Sequence, residues 1–113
     1  MHSLNIVHRD IKPGNIMMSD YTENAEVYIG DLGSAFKLHS SSDTRSLQIG
    51  TKGFIAPEML KHRPYSFPID VWALGTLMYL LMSLKMPFYH ENDKKSRKLT
   101  LEQPVDLKNK NVC

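Results

Sequence analysis

Asp10, Lys12 and Asn15 fall in one short stretch, Ser3–Asn15, which mixes charged residues with Pro13-Gly14, a turn signal. An aspartate held on a rigid loop can accept the proton of an attacking hydroxyl. An asparagine a few residues on can turn inward and present a neutral oxygen to Mg²⁺. Lys12, between them, can reach a transferring phosphoryl group and offset its charge. The bland alternative is a surface turn with charges placed by chance. Asp31-Leu32-Gly33 offers a second carboxylate further on, although D-L-G by itself is most often a mere turn.

These residues need a frame. Ile16–Met18 is a short apolar run, and Ala25–Ile29 alternates and is rich in β-branched and aromatic residues. Both read as strands, with Ser19–Asn24 turning between them to make a small hairpin. Gly30–Gly33 breaks the second strand, and Ser34–Gly53 is polar, serine-rich and aperiodic, as expected of a mobile loop. Pro57–His62 has room for one or two helical turns. From Ile69 to Leu84 the pattern is helical and apolar nearly all round, with Asp70 in the first turn, where a carboxylate suits the helix dipole. Lys85-Met86-Pro87 stops it.

A helix apolar on every face belongs inside a core, yet the rest of the chain offers little to surround this one. Tyr89–Cys113 is polar, and the run Asp93–Lys98 reads as a solvated tail. The surplus of apolar surface predicts aggregation, a partner or further sequence. The methionines on the strand and the helix are expected to fill the core.

Two more segments complete the pattern. Gly50–Glu58 reads G-T-K-G-F-I-A-P-E, and Asp70–Gly75 reads D-V-W-A-L-G. With H-R-D-x-x-x-x-N at His8–Asn15 and D-L-G at Asp31–Gly33, these four segments stand in the order found in eukaryotic-type protein kinases. The chain resembles that superfamily over residues 4–88. The K-P-x-N form at Lys12–Asn15 and the G-T-x-x-F-x-A-P-E segment resemble its serine/threonine branch.

The resemblance implies that Asp10 is the catalytic base, Lys12 the phosphoryl contact, and Asn15 and Asp31 the Mg²⁺ ligands. Thr51 would steady Asp10 and Lys12, and Met17 would lie under the adenine of ATP. His8 and Leu32 would stack in an apolar spine, with Gly33 closing the Asp31 motif. Asp70 would cap the backbone of the catalytic loop. Arg9 would meet a phosphorylated loop residue, for which Ser46 and Thr44 are candidates, although Leu47 stands at the aligned position. Glu58 would pair with an arginine from a later helix, and Arg97 is the only arginine beyond Arg63.

The implied fold class is α+β: a kinase-like C-terminal lobe, mainly helical with a small hairpin, and with no N-terminal lobe. Residues 1–88 would be the partial catalytic domain and 89–113 a polar tail. The implied partners are ATP, Mg²⁺, a protein substrate with a Ser or Thr hydroxyl, and a lobe or partner protein covering the helix. A second reading is an inert, kinase-derived binding module.

Composition narrows the classes further. The 113 residues carry a net charge of +2, with 42% hydrophobic and 23% charged, which points to neither nucleic acid nor an anionic membrane as partner. The longest apolar stretch, Val71–Leu84, is too short to span a bilayer. One cysteine, Cys113, allows no intrachain disulfide and fits a cytoplasmic protein. The five histidines show no metal spacing.

Overall fold

The computed structural model describes residues 1–40, 44–105 and 107. Ser41, Ser42 and Cys113 lie outside them. The strands β1 (Ile6–Val7), β2 (Ile16–Met18), β3 (Val27–Ile29) and β4 (Phe36–Lys37) precede the helices α1 (Pro57–Leu60), α2 (Pro68–Ser83) and α3 (Asp93–Glu102). The expected hairpin is present as β2–β3, antiparallel, with Met17 opposite Tyr28.

A second antiparallel pair, β1–β4, joins the residues just before the catalytic-type loop to Phe36–Lys37. The polar composition of Ser34–Gly53 had suggested only a loop there. Leu38, next in the chain, is buried, so a few apolar positions inside that stretch override its average character.

Two apolar clusters carry the packing. One gathers Val7, Leu38, Ala56, Met59, Tyr65 and Ile69. The other gathers Ile11, Phe54, Ala73 and Leu77. Both draw on α2, which serves as the common wall, and together they grip the loop Arg9–Asn15 from both ends.

α2 begins with Pro68 at its first position, where the missing N–H costs nothing. It ends one residue before expectation, with Leu84 in a left-handed conformation and its N–H donated back to Leu80. Ile69, Ala73, Thr76 and Leu77 are buried, while Val71, Leu74, Met78, Leu81 and Met82 are exposed. The surplus apolar face anticipated from the sequence is therefore real. Trp72 stacks on Phe88 at 5.1 Å, and its buried Nε1–H has no acceptor among the described residues.

The methionines do not fill the core as a group. Met17, Met18, Met78 and Met82 are exposed, and Met59 alone of the seven is buried. They lie on the open side of the hairpin and on the uncovered face of α2, so apolar character was there without a packing partner.

Residues 93–102, expected as part of a solvated tail, are instead the helix α3, capped by the Asn92 side chain accepting from Lys95 N–H. Its lysines are exposed, but Ser96 and Thr100 are buried and it packs on α1. The charged run is thus one face of an amphipathic helix. No helix among the described residues is long and apolar enough to cross a membrane.

Candidate active site

The loop between β1 and β2 is shaped from outside by Asp70. Its buried carboxylate accepts the N–H of His8 at 2.8 Å and the N–H of Arg9 at 2.9 Å. Arg9 has φ of 69°, a left-handed conformation that non-glycine residues rarely adopt. Strain of this kind costs on the order of 1–3 kcal/mol and persists only where neighbours over-determine it. Two charge-assisted bonds to one carboxylate do so here. His2 Nε2 adds a third contact at 2.8 Å, a residue that sequence reasoning passed over because nothing local marks it.

His8 is fully buried and donates from Nε2 to the Gly30 carbonyl at 2.9 Å. Its Nδ1 accepts the Asp10 N–H at 3.2 Å, so the ring bridges the loop to the end of β3 just before Asp31.

At the tip, three side chains converge on Asp10. Thr51 donates its hydroxyl to Asp10 Oδ1 at 2.6 Å. Lys12 Nζ lies 2.8 Å from Asp10 Oδ2 and donates to Thr51 Oγ1 at 3.0 Å. Asn15 donates its amide to the Asp10 carbonyl at 2.7 Å and to Oδ2 at 3.3 Å. Burial pushes the Asp10 pKa up, but the bonds from Lys12 and Thr51, the Lys12 charge and the Asn15 bond together hold it below the ordinary value of 3.8. Asp10 is therefore an ionised acceptor at neutral pH, anchored yet partly open to solvent.

Glycine brings Thr51 this close. Gly50 has φ of 117°, and a Cβ there would sit 2.8 Å from the Arg9 carbonyl. At Gly30, by contrast, a Cβ would meet the methyl end of the exposed Met17 side chain at 2.6 Å, a group free to swing aside.

Asp31 is exposed, left-handed at φ of 57°, and accepts the Gly33 N–H at 3.1 Å. Because the Asn15 nitrogen is spent on Asp10, its amide oxygen is the atom left for a cation. An amide oxygen and a carboxylate are hard donors of the kind Mg²⁺ takes, so the residues fit that ion. Met17 stands on β2, 54% exposed, and Leu32 is 57% exposed.

Arg9 turns away from Asp10. It donates from Nε to the Ser34 carbonyl at 2.6 Å and from Nη1 to the Tyr65 hydroxyl at 3.3 Å, and lies 4.7 Å from the Phe36 ring centre. Arg97 donates to the Leu60 carbonyl at 2.8 Å and to Gln48 at 3.2 Å. Among the described residues it makes no ion pair with Glu58, which is half-buried in the first turn of α1. Beside Thr51 a cleft of about 260 Å³ opens, lined by Gln48, Lys52, Ile55 and Arg97 among others.

A family model described as the protein kinase domain matches residues 1–112. The chain belongs to the protein kinase superfamily. Its relatives include calcium/calmodulin-dependent protein kinase type 1B of Rattus norvegicus and of Homo sapiens, each 40% identical over 93 residues. Those matches take in 82% of this chain and 26% of the relative. Calcium/calmodulin-dependent protein kinase type II of Caenorhabditis elegans is 40% identical over 91 residues, 80% of this chain and 12% of the relative. The kinase chain thus spans about a quarter or less of the curated relatives it matches, and the three α-helices and two small antiparallel sheets among its described residues are a partial kinase fold.

Proposed function

We propose that this chain is a segment of a protein serine/threonine kinase that transfers the γ-phosphoryl group of ATP to Ser or Thr hydroxyls of a protein. The observation that carries the reading is the convergence of Thr51, Lys12 and Asn15 on Asp10. An aspartate held in this way orients a substrate hydroxyl and receives its proton. Lys12, already 2.8 Å from Asp10, is placed to offset charge on the transferring group. Thr51 ties both to the segment that lines the cleft beside the site, where a substrate peptide would lie.

Asn15 and Asp31 would hold Mg²⁺, which when bound neutralises phosphate oxygens. Met17 would support the adenine. The serine/threonine assignment rests on Lys12-Pro13 and on the Thr51 contact. The single cysteine supports a cytoplasmic location.

A second reading, a kinase-derived binding module without transfer activity, is favoured by one observation. The hairpin face carrying Met17 and the face of α2 carrying Met78 and Leu81 are both open. The test is to capture the endogenous protein with an antibody to residues 89–113. Its intact mass and its transfer to a Ser/Thr peptide with Mg-ATP are then measured beside an Asp10→Asn form. Transfer that Asp10→Asn abolishes establishes the kinase reading. A native species of 13.0 kDa with no transfer leaves the binding module. The 113-residue polypeptide on its own is expected to show no detectable transfer.

A further inference from the structure

The segment leading to Thr51 is fastened upstream at Tyr65. Arg45 donates its N–H to the Tyr65 carbonyl at 3.0 Å, and Tyr65 returns its own N–H to the Arg45 carbonyl at 2.7 Å. The Tyr65 side chain is buried, and both functions of its hydroxyl are used. It donates to the Leu47 carbonyl at 2.5 Å and accepts from Arg9 Nη1 at 3.3 Å.

Around this phenol the packing is aromatic and cationic. Phe36 meets it edge-on, with centroids 6.4 Å apart. Arg9 and Arg45 lie 4.7 and 5.0 Å from the centre of the same Phe36 ring. A single hydroxyl therefore touches both the incoming segment, at Leu47, and the catalytic loop, at Arg9. From Leu47 to Thr51 the chain can stretch at most about 14 Å, so fixing Leu47 limits where the Thr51 hydroxyl can go.

We propose that Tyr65 is a positioning residue: its hydroxyl latches residues 45–47 to Arg9 and so holds Thr51 on Asp10, with no phosphate on the segment. The role in catalysis rests on the transfer reading above. The latch is tested without activity, so failure of one is told apart from failure of the other.

The experiment is amide hydrogen exchange, read by mass spectrometry, on the full unphosphorylated chain and on its Tyr65→Phe and Tyr65→Leu forms. Both substitutions remove the hydroxyl, and both are expected to speed exchange over residues 45–51 about tenfold while α2 keeps its protection. A role in packing alone would leave Tyr65→Phe like the unsubstituted protein and open the segment only in Tyr65→Leu. That result overturns the proposal. Protection over 45–51 that arises only after Thr44 or Ser46 is phosphorylated overturns it as well. Loss of protection from α2 as well in Tyr65→Phe overturns the proposal too, because the hydroxyl would then support the fold at large and not this segment.

Discussion

The Asp70 carboxylate and the Arg9 N–H, 61 residues apart in sequence, meet at 2.9 Å. The same carboxylate holds His8 N–H, so a helix buried for its apolar content also sets the backbone of the loop that carries Asp10. Asp70→Asn would turn an NH₂ group toward one of these donors and remove the charge. Loss of a charge-assisted bond and an unsatisfied buried amide together are expected to lower stability by about 2–4 kcal/mol. Denaturant unfolding followed by circular dichroism measures this, and a change under about 0.5 kcal/mol would refute it.

Thr51→Val keeps the shape of the side chain and deletes the hydroxyl. Asp10 Oδ1 loses its 2.6 Å donor, and Lys12 loses an acceptor. The Asp10 pKa should move back up, and stability should fall by about 1 kcal/mol. Carboxyl-carbon NMR titration of the two proteins reports the shift directly.

Acid should weaken the site in a defined sense. The Asp10 pKa is lowered in the folded chain relative to its ordinary value of 3.8. Its contribution to stability is therefore complete above that value and is lost as pH falls through the lower, folded one. The stability difference between the unsubstituted chain and Asp10→Asn should be flat above about pH 5 and shrink below about pH 4. A difference that grows on acidification would contradict the network as described.

Two glycines make a matched pair. At Gly50 a Cβ meets the Arg9 carbonyl at 2.8 Å in a left-handed backbone, so Gly50→Ala should cost about 2 kcal/mol. At Gly75, inside α2, a Cβ meets nothing within 4 Å, so Gly75→Ala should stabilise by about 0.5–1 kcal/mol. Thermal melts of the two variants should move in opposite directions.

The open face of α2 should govern self-association. Leu81 is 67% exposed, so Leu81→Lys is expected to change stability by less than about 0.5 kcal/mol. The same change should reduce association in sedimentation velocity, since a contiguous exposed apolar patch drives it. Unchanged association would place the sticky surface elsewhere, with the hairpin face around Met18 and Val27 next in line.

Much of this arrangement was legible in the sequence. The hairpin showed in alternation and a turn, α2 in its periodic apolar run, and Asp10, Lys12, Asn15 and Thr51 in their order and spacing. What stayed hidden depended on distant partners. β4 and Leu38 lie in a polar stretch, and only β1 makes a strand of Phe36–Lys37. α3 looked like a charged tail because its buried face is Ser96 and Thr100, small polar residues that no apolar count detects. Tyr65 and His2 carry no local signature, since each matters through residues more than a dozen positions away.

The grip of Asp70 on the loop has a kinetic consequence. The β2–β3 hairpin and the turns of α2 are built from near neighbours and can form early in folding. The left-handed turn at Arg9 cannot, because its support arrives only when α2 has docked across a closure of 61 residues. Folding should therefore finish where the chemistry is, and a partly folded chain would already show its helix and hairpin while the Asp10 cluster was still unassembled.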